Sequence, residues 1–219
     1  MKSTVLILIV VISILMAQLV AAQPNPPMTR IEFRIISPEI PADSFAAKPK
    51  IYYIAGKTYS RAEEQPDPSE HVHELIVCAE PDIWMINLFS HTAQHIVDPG
   101  PSFIVHHKIF EQDSPKEFSS LEFGMEVDYF RSHHAAVLKA RALDGQRCEV
   151  SEFKYQNCRA VLFIRQDTRK PFHLDVFKDG KALFSIRYVS FKTNLAFDPA
   201  LFKPPTGLTI TEAKVNNTK

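Results

Sequence analysis

Glycine is scarce in this sequence, 6 residues in 219, and cysteine is scarcer still at three. Glycines so few and scattered leave no loop that could cradle a phosphate. Net charge is missing too, since 25 Lys and Arg balance 25 Asp and Glu. That removes a basic nucleic-acid footprint and an acidic tail. The nucleophile signatures are absent: there is no G-x-S-x-G and no S-x-x-K accompanied by its partner motifs. Nine histidines occur, among them His71, His73, His91, His95 and the pairs His106-His107 and His133-His134. Their spacing is not that of a three- or four-ligand metal site, and H-E-x-x-H does not appear. The sequence therefore predicts a non-enzyme with no metal, no cofactor and no nucleic-acid partner.

Long apolar runs are also absent, with one exception. After Lys2 the chain reads V-L-I-L-I-V-V-I-S-I-L-M-A-Q-L-V to Val20, and Val20-Ala21-Ala22 sets small or β-branched residues at a cleavage site. Residues 1–22 read as a secretory signal peptide, the alternative being an uncleaved anchor. The expected location is the periplasm, with the extracellular space as the other exported option. Once the signal is cleaved the protein is expected not to be integral to a membrane. In that oxidising setting Cys148 and Cys158, which flank an expected hairpin, are the candidate disulfide. Three cysteines allow three pairings, and Cys78 reads as a buried small hydrophobe.

What the sequence does have is 16 prolines, 16 phenylalanines and short apolar runs near ten residues apart. A proline-stiffened leader, 23–29, precedes them. The runs are 31–37, 50–56, 57–64, 71–79, 82–90, 94–98, 102–110, 135–143, 147–153, 158–166, 171–178 and 181–192. Turn residues separate them, most clearly Asp144-Gly145 and Asp179-Gly180. Ser114-Pro115-Lys116-Glu117 has the form of a capping box and predicts a helix over 115–123, with Gly124 as its stop. Further helical turns are expected in 125–134. The proline-rich end from Phe197 reads as an irregular strap. The expected fold is mainly β: a curved antiparallel sheet of ten or eleven strands in one domain, 30–210, with a short helical lid and a flexible tail at 211–219.

Several runs are apolar on both faces. In E-P-D-I-W-M-I-N-L-F-S, residues 80–90, Ile83, Met85 and Phe89 oppose Trp84, Ile86 and Leu88. A sheet wetted on one face alternates cleanly, so these strands need a second layer or a ligand. A concave apolar cavity satisfies the pattern. Its expected wall is Trp84, Ile86, Leu88, Phe103, Val105, Leu162, Ile164, Phe184 and Ile186, with Phe118, Leu121 and Phe130 as the lid. The reverse face, with Met85 and Phe89 inside, stays open.

Residues Asp144-Gly145, Thr168 to Pro171, Asp179-Gly180 and the closing Phe202, Pro205 and Gly207, with Arg61 in the early meander, resemble the bacterial periplasmic outer-membrane lipoprotein carrier family over most of residues 30–210. The resemblance implies a half-barrel lidded by helices that shelters lipid or acyl chains as they cross an aqueous space. The function expected is an exported envelope protein that binds a lipid or another apolar ligand on the concave side, in lipid or lipoprotein transport. Envelope proteins are candidate partners. The alternative is a dry-cored structural or protein-interaction module of the envelope.

Overall fold

A computed structural model describes residues 25–100, 104–109 and 115–213. The strands are β1 (Met28–Ile36), β2 (Lys50–Ala55), β3 (Tyr59–Glu63), β4 (Glu74–Ala79), β5 (Asp82–Asn87), β6 (Thr92–Val97), β7 (Ala136–Leu143), β8 (Gln146–Tyr155), β9 (Cys158–Arg165), β10 (Pro171–Lys178), β11 (Lys181–Leu195) and β12 (Thr209–Ala213). They form one 12-stranded sheet in the order β12-β6-β5-β4-β3-β2-β1-β11-β10-β9-β8-β7. Its pairs are antiparallel except β12 with β6, which run parallel. The single α-helix among the described residues, α1, is Glu126–Ser132.

Local chemistry explains most of these elements. β-branched and aromatic residues crowd the strands, as in K-I-Y-Y-I-A of β2 and C-R-A-V-L-F-I-R of β9. Asp144-Gly145 and Asp179-Gly180 turn the β7–β8 and β10–β11 hairpins with φ positive at both residues, 48° and 74° in one and 52° and 75° in the other. That backbone suits the twist of two-residue hairpin turns.

Two packed layers share the sheet unequally. On one face Ile31, Phe33, Leu162, Leu174 and Ile186 are buried against Phe118, Leu121, Phe123, Tyr129 and Phe130 from the 104–132 segment. On the opposite face, β1–β6 bury Leu75, Val77 and Ile86 beneath Phe197, Leu201, Phe202 and Leu208 of a C-terminal strap. That strap leaves β11 in mid-sheet and ends in β12 at the far edge. On the same face β7–β11 bury Cys148, Val150, Val161 and Phe163. There the cover is arginine: Arg187 lies 3.7 Å from the Phe172 ring, Arg159 3.8 Å from Phe177 and Arg141 5.2 Å from Phe163.

The structure corrects several expectations. The predicted helix over 115–123 is a 3-10 turn, Lys116–Phe118, followed by tight turns on either side of a single bridge residue, Glu122. Phe118 and Phe123 lie five positions apart, about 140° around a helix. Both are buried here, and the segment is tied down by Ile109 N–H to Leu121 O at 3.0 Å and Phe123 N–H to His107 O at 2.9 Å. The run at 102–110 is no strand where it is described, apart from a bridge between Lys108 and Glu122. All three cysteines are free. Cys148 pairs with Arg165 and Cys158 with Tyr155, at opposite ends of the β8–β9 hairpin, and their side chains join cores on opposite faces. The turn at 156–157 does lie between the two cysteines, but this register keeps them apart along the hairpin. Finally, Met28 and Thr29 of the expected leader open β1, and 211–213 of the expected tail belong to β12. Residues 1–22 lie outside the described residues.

Candidate functional site

The face that carries Phe33 holds a cavity of about 660 Å³. Its floor is Phe33 and Ile35 from β1, Tyr52 from β2, Ala62 from β3, Ile76 from β4 and Phe184 and Ile186 from β11. Cys158, the first residue of β9, also touches it. In strand order β4 and β9 are six steps apart, about 29 Å across a flat sheet at the usual strand spacing. One cavity touching both requires the sheet to curl toward this face. Ile109, Pro115 and Phe123 of the 104–123 segment form the roof.

The roof is held by aromatic contacts and one buried acid. Phe123 sits 4.3 Å from Phe33 and 5.3 Å from Tyr52, ring centre to ring centre. Gly124 follows with φ of +89°, and an added Cβ would lie 3.4 Å from Ile31 Cδ1. Its N–H donates to both oxygens of Glu126 at 3.0 Å. The Tyr188 hydroxyl of β11 donates to the same carboxylate at 2.5 Å. Glu126 is fully buried, and burial raises its pKa to about 7 against the opposing hydrogen bonds from Tyr188 and Gly124. This cluster pins the start of α1 to mid-sheet.

The surroundings of the cavity favour uncharged forms. Burial raises the Tyr52 phenol above its ordinary value, with a smaller push from Glu64. Burial also lowers His107, whose ring lies 5.2 Å from Tyr52, to about 4. The His107 Nε2 atom has no hydrogen-bond partner among the described residues. Groups shifted this way report a poorly hydrated environment. The rim is charged: Lys50 bridges Glu64, and Glu39, Glu74, Lys108 and Lys178 complete it. An apolar floor with a polar rim suits a ligand with a long apolar part, and no described cluster of His, Cys, Asp and Glu could hold a metal.

Of the residues expected in the wall, Phe184 and Ile186 line the cavity. Leu162 and Ile164 face the same way but are sealed in the core beneath Phe118, Leu121 and Phe130. Val105 is half-buried, its N–H donating to Lys57 O at 2.9 Å, and Phe103 lies outside the described residues. Trp84, Ile86 and Leu88 point to the other face, a correction: the strap covers them. Trp84 stacks on His95 at 3.8 Å and edges a separate depression of about 320 Å³ with Tyr59, Phe197 and Phe202. Met85 faces the cavity side, paired with the cavity residue Ile76, but neither it nor Phe89 lines the cavity; they are 47% and 41% exposed.

The remaining motif residues are structural in placement. Arg61 bridges Glu63 at 2.9 Å and donates to Leu201 O at 3.4 Å, which ties β3 to the strap. Phe202 is the strap's buried anchor, while Pro205 and Gly207 are exposed in the turn before β12. Arg187 bridges Asp144, and Asn157 donates to Asp179 at 2.9 Å. Sequence reasoning missed Phe33, Ile35, Tyr52 and Phe123 as cavity residues. The signal for them was the apolar set Ile109, Phe118, Leu121 and Phe123, which needs a sheet face to cover.

No family model matches the chain, and no curated protein matches it in sequence. Solved structures with a similar course of chain include an uncharacterized conserved protein from Thermus thermophilus, 11% identical, covering 86% of this chain and 91% of that one at a TM-score of 0.46. The LolA superfamily protein NE2245 from Nitrosomonas europaea is 12% identical and covers 84% and 91% at a TM-score of 0.34. MucB, in a complex with MucA(peri), is 10% identical at a TM-score of 0.41, and the chain spans 55% of its length while 82% of this chain is covered.

Proposed function

We propose that this protein is an exported carrier of the cell envelope that shelters a lipid or acyl chain in the cavity between β1–β4, β11 and the roof of Ile109, Pro115 and Phe123. One observation supports the reading above the others: about 660 Å³ of apolar-floored space partly roofed by Ile109, Pro115 and Phe123. At about 30 Å³ per water-sized group, it holds on the order of 20 methylene-sized groups. Burying each methylene contributes about 0.8 kcal/mol.

The test is solvent extraction of the purified protein followed by lipid mass spectrometry, with titration of an environment-sensitive fatty-acid probe. Co-purifying lipid and saturable probe binding are expected. Ala62→Phe, which fills the floor, should weaken the probe at least tenfold while thermal stability holds. Lipid-free preparations with no probe binding would sink the reading. Trp84 is no reporter for this assay, since it lies under the strap.

A further inference from the structure

The neutral total hides a division. Residues 25–132 carry 9 Lys and Arg against 17 Asp and Glu, a formal charge of −8, whereas residues 133–195 carry 12 against 6, a formal charge of +6. The fold keeps the second set together, because 133–195 is the contiguous wing β11-β10-β9-β8-β7.

The acids of this wing are already engaged. Asp144 takes Arg187, Glu149 takes Arg169, Glu152 takes Lys154 and Arg159, and Asp167 takes Arg165. Asp175 takes His173 and Ser185, and Asp179 takes Asn157. Lys170 donates to the Thr193 hydroxyl at 2.8 Å. The other six cations of the wing have no carboxylate partner among the described residues: Lys139, Arg141, Arg147, Lys178, Lys181 and Lys192. Lys139 and Arg141 lie on the outermost strand, Arg147 opens β8 beside it, and Lys178 and Lys181 flank the β10–β11 turn. Leu183, two residues past Lys181, is 43% exposed and lines the cavity mouth together with Lys178.

We propose that this wing docks the protein on an anionic lipid bilayer, with the β10–β11 side of the cavity mouth toward the surface. Five of these six cations, all but Lys192, are spread along an edge and a turn, which fits a broad field of headgroups better than one discrete acidic motif. An exposed leucine beside lysines is suited to the interface, the apolar side chain entering and the ammonium groups meeting phosphates. The acidic β1–β6 wing is repelled by the same surface, so the pair of wings orients the molecule as well as attracting it. Each cation near an anionic surface strengthens partition roughly fivefold, and salt weakens the attraction. The surface does not depend on what fills the cavity.

Vesicle flotation tests it, using protein purified from an exporting host with its N-terminus read by mass spectrometry. Vesicles of equal phosphatidylglycerol and phosphatidylethanolamine should carry the protein up at low salt and release it at high salt, and phosphatidylcholine vesicles should not carry it. Lys139→Glu/Arg147→Glu/Lys181→Glu, none of which lines the cavity, should lower binding to anionic vesicles by a hundredfold or more. Lys48→Glu/Lys57→Glu on the acidic wing should leave it nearly unchanged, with circular dichroism melts confirming that both variants fold. Fatty-acid probe binding should survive the first variant, which separates this surface from the cavity. Equal flotation with phosphatidylcholine, no flotation with anionic vesicles, or an unaffected wing variant would each overturn the proposal. Retention on a polyglutamate resin without vesicle binding would also overturn it, and would assign the wing to an acidic protein.

Discussion

The β1–β6 wing and the β7–β11 wing bear similar two-sided apolar strands, yet they hide them differently. In β1–β6 the outer face is covered by a segment of chain, the strap with Phe197 and Phe202, and the inner face is left partly open. In β7–β11 the inner face lies beneath α1 and the roof, and the outer face is covered by side chains of its own strands, the arginines over Phe163, Phe172 and Phe177. A second apolar face therefore does not by itself mark a ligand site. The cavity of about 660 Å³ sits on the inner face over β1–β4 and β11, where the roof covers the sheet incompletely.

The largest effect that can break this comparison is at the strap. Phe202 is 4% exposed and packs 5.4 Å from both Phe197 and Tyr59. Phe202→Ala should cost about 3–5 kcal/mol in urea unfolding. It should also speed amide exchange in β12 while leaving β8–β9 protected. Uniform loss of protection would show that the strap does not act on one wing alone.

Next is the pin under the roof. Burial raises the folded-state pKa of Glu126 to about 7 from an unfolded value near 4.5. The folded chain then holds a proton that the unfolded chain has lost, so stability falls as pH rises from about 4.5 to about 7. The fall is on the order of 3 kcal/mol. Glu126→Gln should flatten that slope in unfolding measured across this range, and an unchanged slope would assign it elsewhere.

The arginine cover should matter less. Arg187→Ala loses the stack on Phe172 and the bridge to Asp144, and about 1 kcal/mol is expected. Arg187→Leu should cost less than that, because an apolar cover returns. A leucine variant worse than the alanine variant would show that charge, not cover, is what the arginine supplies.

The smallest effect is at the β12 edge. His95 contacts Asp82 at 2.7 Å and Glu212 at 3.0 Å. Desolvation lowers its pKa, but the hydrogen bonds and charges of the two acids outweigh this and leave it raised. Its stabilising contribution is full below the ordinary histidine value and is lost as pH rises through the raised one. Exchange of β12 amides should quicken over that interval, and His95→Gln should remove the dependence.

Much of the architecture was legible because turn chemistry is local. Asp144-Gly145 and Asp179-Gly180 announce their hairpins, and the β5 run announces a strand. Which way a two-sided strand faces was not legible, since Trp84 and Met85 are comparably apolar and a distant segment decides between them. The strap was readable from its prolines. The strand after it was not, because β12 draws its partner from β6 across the whole sheet. The helix expected at 115–123 fitted a capping pattern, but Phe123 gains more from Phe33 and Tyr52 than a helix could offer it.

The parallel β12–β6 pairing also sets an order of events. The contact of His95 with Glu212 joins residues 117 apart in sequence. During synthesis the β6 edge and the aromatic face around Tyr59 and Trp84 stay bare until the last of the described residues arrive. Such late, long-range closure is slow and leaves strand edges open to other chains in the meantime. A chain stopped short of residue 196 would keep nearly all of its strands and still lack both the cover and the final edge, which makes premature termination a route to aggregation and not merely to a shorter protein.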